Sequence, residues 1–128
     1  MNMNANGFDN GKVFINNACV DIEQIEWSAH PAFKGVYLKH IIKGESTENR
    51  LSCHLIKVEP GCEIGIHNHP GKTELHEVIN GGGYCLLENK KLNYHKGVVG
   101  FIPADTGHSV RAGSEGLFLF AKFFPALL

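Results

Sequence analysis

His67, His69 and Glu74 sit at fixed offsets in the stretch from Gly61 to Gly81, and all three are metal-binding residue types. On an extended strand, side chains two apart point to the same side, so His67 and His69 aim at one point. Pro70-Gly71-Lys72 reads as a turn. The chain then returns as a second strand, and Glu74 near its start reaches the same point. Two neutral imidazoles and a carboxylate suit first-row divalent metals. A further His from the second half of the chain would complete a four-ligand site. Eight histidines in 128 residues is a high share that asks for a reason.

Glu74, His76 and Val78 share a strand face by alternation, so His76 points the same way as Glu74. Imidazole titrates near neutral pH, which makes His76 the candidate catalytic residue, as general acid or base. The bland alternative is a hydrogen-bond partner of the ligands. His54 shares a face with Ile56 and Val58, and His40 with Val36, Leu38 and Ile42. Both read as satisfied core histidines before pocket-lining ones. His30 and His95 stand in loop or edge context and read as solvated. Arg50, Tyr84 and Tyr94 are the available anchors for an anionic or polar substrate.

Short strands must position these groups. Candidate strands are Lys12 to Asn16, Val36 to Ile42, Leu51 to Val58, Tyr84 to Glu88, Val98 to Ile102, His108 to Arg111 and Leu117 to Phe124. Val20 to Trp27 reads as a strand or a single helical turn. Glu59-Pro60-Gly61, Gly81-Gly82-Gly83, Glu88 to Lys91, Pro103 to Gly107 and Ala112 to Gly116 read as turns. Turn signals recur about every ten residues with no sustained helical period, the pattern of an all-β sandwich or barrel. Residues 1–11 read as a flexible arm and residues 12–128 as a single domain.

Composition narrows the class. The chain is 43% hydrophobic and 20% charged with a net charge of -1. This gives no electrostatic footprint for nucleic acid or an anionic membrane. No apolar run reaches the length of a membrane span, and the N-terminal residues lack the pattern of a signal peptide, so a cytoplasmic location is expected. Cys19, Cys53, Cys62 and Cys85 form no C-x-x-C pair and read as free thiols, mostly buried or half-buried.

With these residues in view the chain resembles the cupin family. That family's first motif, G-x5-H-x-H-x3,4-E-x6-G, is met by Gly61, His67, His69, Glu74 and Gly81. Its second motif, G-x5-P-x-G-x2-H-x3-N, is met at Gly97, Pro103 and His108. It is departed from at Asp105, where the glycine belongs, and at Ala112, where the asparagine belongs. Gly107 is expected to take over the turn. The resemblance implies a double-stranded β-helix, or jelly roll, closing into a small barrel. It also implies one divalent transition metal (Fe, Mn, Ni, Cu or Zn) held by His67, His69, Glu74 and His108. Some cupin lyases carry a tyrosine base where His76 stands. Alternation puts Arg111 outside the barrel. Small cupins commonly dimerise, and the apolar run from Leu117 to Phe120, expected to be buried on both faces, fits a homodimer. The resulting expectation is a metal-dependent enzyme (dioxygenase, isomerase or lyase) on a small polar molecule. A non-catalytic ligand-binding or sensor module and a structural or storage protein are the alternatives.

Overall fold

The β-branched and aromatic runs become ten strands in the computed structural model, which describes residues 4–128. In order they are β1 (Lys12–Ile15), β2 (Ala18–Asp21), β3 (Ser28–Ala29), β4 (Val36–Ile42), β5 (Ser52–Val58), β6 (Glu63–His67), β7 (Thr73–Leu87), β8 (Lys90–His95), β9 (Val99–Ile102) and β10 (His108–Phe124). β1 and β2 form a separate hairpin. Its turn residues Asn16 and Asn17 have φ of 48° and 62°, the left-handed geometry that tight hairpins need and asparagine tolerates. The ambiguous segment after it resolves into β2 and one 3-10 turn, Ile22–Gln24.

The other strands form a jelly roll built on two long, bent strands. Residues 73–81 of β7 pair with residues 117–124 of β10, and residues 83–87 of β7 pair with residues 108–112 of β10. On one side of the bends, β10 adds β5 and then β4 and β3, while β7 adds β9. On the other side, β10 adds β6 and β7 adds β8. Two sheets that share two strands face each other across the core.

The bends correct two turn expectations. Gly81-Gly82-Gly83 and Ala112–Gly116 lie inside β7 and β10, with a register shift between Ala112 and Leu117. A Cβ on Gly83 would stand 1.9 Å from the Arg111 carbonyl oxygen. Here glycine permits close backbone approach where strands cross between sheets, a use that looks the same in sequence as a turn.

The inner core gathers Val36, Ile56, Val58, Val78, Val110, Leu117, Leu119 and Phe123 between the sheets. A second cluster lies outside the first sheet, where Ala5, Val13 and Ile22 cover Leu55 and Phe118. The run from Leu117 to Phe120 is therefore covered on both faces: Leu117 and Leu119 face inward, and Phe118 meets the Trp27 ring edge-on at 6.2 Å. Burying a side chain of this size contributes about 2 kcal/mol. The cover comes from the same chain, so the run by itself calls for no second copy. Residues 1–3 of the segment read as a flexible arm lie outside the described residues. The rest of it makes defined contacts: Ala5 is buried, Asn6 donates to the Ile79 carbonyl, and Phe8 packs on Phe120 at 4.9 Å.

The segment after β10 folds back over one end of the barrel. Ala126 N–H donates to the Asn49 carbonyl (3.2 Å), Leu127 N–H to Ser52 Oγ (2.8 Å), and Lys72 Nζ to the Ala126 carbonyl (2.8 Å). Among the described residues no helix is long and apolar enough to cross a membrane.

Candidate metal centre

The strand β6 delivers His67 through a break in its own alternation. Ile64 is buried and Ile66 is 82% exposed, yet His67, three after Ile64, lines the interior with it. The pairing explains this: His67 and Ile64 stand opposite His108 and Val110, three steps on β6 against two on β10. This β-bulge flips the strand's phase and turns His67 inward. Gly65 sits in the bulge, where a Cβ would come within 2.9 Å of the Phe33 ring. Its carbonyl accepts the Nδ1–H of His67 at 2.7 Å, leaving Nε2 as the ligating atom.

His69 stands in the turn between β6 and β7, and His108 opens β10 after the turn from β9. Asp105 joins the two turns, its Oδ1 accepting from Gly71 N–H at 3.0 Å. With φ of 62°, Asp105 itself takes the left-handed position expected of the family's glycine, so Gly107 is not needed for it. Aspartate is among the few residues that tolerate that region. His108 Nδ1 donates to the Thr106 carbonyl (2.9 Å), and its Nε2 faces Glu74 Oε1 at 3.1 Å.

Glu74, on the opposite sheet, is 3% exposed and is shared among three histidines. His76 Nε2–H donates to its Oε2 at 2.7 Å, and Oε1 is left to His108 and to His69 Nε2, 3.7 Å away. Burial alone would raise the Glu74 carboxyl. The electrostatic effect of the adjacent His76 and the hydrogen bonds from His108 and His76 outweigh it and hold the group below the usual carboxylate range. For His108, burial pulls downward, and the bonds to Glu74 and to the Thr106 carbonyl reverse it, so its pKa is raised. His67, whose bond to the Gly65 carbonyl is outweighed and which has no carboxylate hydrogen bond, is lowered to about 4, chiefly by burial.

One donor atom from each of His67, His69, Glu74 and His108 lies within 4.8 Å of every other. A metal about 2.1 Å from each donor holds neighbours about 3 Å apart and opposed donors about 4.2 Å apart. The four residues therefore fit a divalent ion, and the Nδ1 anchors of His67 and His108 fix the ring orientation it requires. Three imidazoles and one carboxylate leave positions open on an octahedral ion.

The centre opens onto a cavity of about 70 Å³ between the sheets. Its walls include Val36, Leu38, Ile56, Ile64, Val110, Phe123 and Leu127. His76 also lines it, but both ring nitrogens are engaged, Nε2 by Glu74 and Nδ1 by the Tyr94 hydroxyl at 2.9 Å. Because Nε2 carries the proton given to Glu74, Nδ1 accepts from Tyr94.

The other sequence candidates are placed as follows. Tyr94 is buried behind His76, and its phenol is pushed above its ordinary range by burial. Arg111 lies outside, 3.6 Å from Glu63, as alternation predicts. Arg50 is exposed and does not line the cavity, and Tyr84 lies under the Lys91 ammonium at 4.5 Å. His40 and His54 form a pair beside the cavity. His30, read from sequence as solvated, lines the cavity instead. The signal for it lay in the loop closing over the barrel, which no local pattern records.

The cupin-domain family model matches residues 54–120. A curated relative, an oxalate-binding protein of Thermotoga maritima, is 26% identical over 76 residues, 59% of this chain. The match spans less than two thirds of that relative, 63% of its length. Among solved structures, a predicted oxalate decarboxylase of Thermotoga maritima superposes with a TM-score of 0.73 at 24% identity, covering 81% of this chain and 96% of that one. KdgF from Halomonas sp. gives a TM-score of 0.71 at 19% identity over 80% and 90% of the two chains. The polyketide cyclase RemF of Streptomyces resistomycificus gives 0.70 at 18% identity over 83% and 77%. At these identities the structural likeness establishes a shared fold.

Proposed function

The chain belongs to the cupin family, and from that premise we propose that it is a metal-dependent enzyme acting on a small polar molecule. The reaction class is a dioxygenation, isomerisation or elimination, with His67, His69, Glu74 and His108 as ligands. The observation that carries this is the convergence of those four donors within 4.8 Å at the wall of a cavity with room for a ligand. A bound ion would supply Lewis acidity, a lowered water pKa or, for iron or copper, redox chemistry. The residues of the chain have separate tasks. His67 and His108 present Nε2 because Gly65 and Thr106 hold Nδ1. His76 fixes the carboxylate plane of Glu74, and Tyr94 fixes His76. The apolar walls exclude water, which strengthens every interaction inside. With both nitrogens engaged, His76 acts as a positioning residue.

That engagement also favours a second reading. His76, beside Glu74 in the cavity wall, has no ring nitrogen free for proton transfer, as expected of a module that binds its ligand without turnover. The descriptions of similar Thermotoga maritima chains touch both classes, as an oxalate-binding protein and as a predicted oxalate decarboxylase.

The deciding experiment is elemental analysis of untagged chain prepared without chelator, beside a His67→Ala/His69→Ala double variant. About one transition metal per chain, lost in the variant, is expected. Its identity then directs the assay: oxygen consumption for iron or copper, elimination and isomerisation substrates for manganese, nickel or zinc. A parent chain that holds no metal and takes none up on reconstitution would sink the proposal.

A further inference from the structure

His30 stands in the loop before β4, and its Nδ1 accepts two backbone N–H groups of its own turn, from Ala32 at 3.0 Å and Phe33 at 3.3 Å. A neutral imidazole that accepts at Nδ1 carries its proton on Nε2. Burial lowers the His30 pKa, which keeps the ring in that neutral form. Among the described residues Nε2 has no partner, and the ring lines the same cavity as the four ligands. His76, the other lining imidazole outside the ligand set, is fully engaged. His30 is thus the donor left to the cavity.

The charge in the cavity is limited. A dication with Glu74 and three neutral imidazoles carries one net positive charge. No lysine or arginine is among the lining residues. Lys72, whose charge reaches His69, has its ammonium on the Ala126 carbonyl. A single negative charge neutralises the site, whereas a second would be held there without a counter-ion. Size is limited too: about 70 Å³, part of which the ion itself would fill, leaves room for a ligand of no more than about five non-hydrogen atoms.

We infer that the cavity takes a small monocarboxylate bearing a second oxygen, of the 2-hydroxy acid class, with His30 Nε2–H donating to it, and that it disfavours dianions such as oxalate. This rests on the metal-centre reading above and names the ligand class of that site. The metal takes the chelating oxygens, His30 orients the carboxylate, and the aliphatic walls face the short carbon chain.

The test uses the full chain loaded with cobalt(II), whose visible bands report changes at the ion. Glycolate, lactate, oxalate and malonate are titrated at neutral pH, and cobalt stoichiometry is measured alongside. Glycolate is expected to shift the bands at about tenfold lower concentration than oxalate or malonate. His30→Ala is expected to weaken glycolate binding about tenfold to a hundredfold at unchanged cobalt stoichiometry, the effect of losing one hydrogen bond to a charged group. His30→Gln, which keeps an N–H donor, is expected to recover part of that loss. Oxalate binding as tightly as glycolate, or His30→Ala binding glycolate like the parent, would overturn the assignment while leaving the metal centre standing. A chain that binds no cobalt would instead remove the metal centre, and this inference with it.

Discussion

His40 and His54 meet across β4 and β5 with their Nδ1 atoms 2.8 Å apart, while His67 and His108 meet across β6 and β10 with ring centroids 4.2 Å apart. Both pairs sit at matched strand positions. The first pair has no carboxylate. Ser52 Oγ accepts Leu127 N–H and hydrogen-bonds His54 Nε2, and the two Nδ1 atoms share one proton between the rings. Three of the four ring nitrogens, His40 Nδ1 and both of His54, are engaged within the pair or by Ser52. In the second group each Nδ1 is tied to a backbone carbonyl, each Nε2 points to common space, and Glu74 supplies the charge. Inward histidines alone do not make a metal centre; an acid, free lone pairs and room do. The first pair has its own task, since Ser52 holds the backbone of Leu127, which forms part of the cavity wall.

The largest effect expected from this contrast is at Glu74. Glu74→Gln keeps the shape and removes the charge, and metal affinity is expected to fall at least about a hundredfold, with the thermal gain on metal loading lost. Metal affinity unchanged in that variant would erase the distinction between the two groups. His40→Gln, by contrast, is expected to leave metal content as in the parent.

Next in size is a pH effect from the other pair. Burial and the nearby His40 ring lower His54 to about 4 from an ordinary 6.5, with Glu74 opposing. The unfolded chain therefore binds more protons than the folded one between those values. Stability is fully present above about pH 6.5 and is lost as pH falls towards about 4, by on the order of 3 kcal/mol from this group. Urea unfolding of metal-free chain across that range should show a shallower loss in His54→Gln than in the parent. Equal slopes would mean that His54 is not held neutral by its surroundings.

The smallest effect is expected at His76. His76→Ala leaves the four ligands but frees Glu74 Oε2, and a loss of about tenfold to a hundredfold in metal affinity is expected. If His76 only filled space, His76→Leu would restore affinity. If it orients Glu74, His76→Gln would restore more than leucine does.

The convergence of the four candidate ligands was legible because their spacing is local or motif-bound: His67, His69 and Glu74 lie on one hairpin, and His108 follows Pro103 at the expected offset. The all-β fold was legible from turn signals and apolar runs. What escaped depends on long-range placement. Gly83 reads as a turn residue, but its role comes from the Arg111 backbone crossing it. His30 reads as a loop histidine, but the loop lies over the barrel. The bulge at Gly65 cannot be seen without its partner strand, although the inward aim of His67 depends on it. The doubly covered run from Leu117 to Phe120 was read correctly as doubly buried, and only its cover, an N-terminal segment rich in asparagine, was unforeseen.

β10 is the last strand in the chain order and, with β7, one of the two that pair with three others: its partners are β5, β6 and β7. Its end aligns Phe123 with both Ser52 and Glu74, and its start aligns His108 with His67. These are distant pairings, and the chain must lose the entropy of closing long loops before they form. The fourth ligand therefore reaches the other three only as the barrel shuts. Stabilisation that appears so late acts on escape from the folded state and hardly on the approach to it. An ion held there would be kept in place by the slowness with which β10 lets go, so its residence time would depend on the opening of the barrel as well as on the strength of its four bonds.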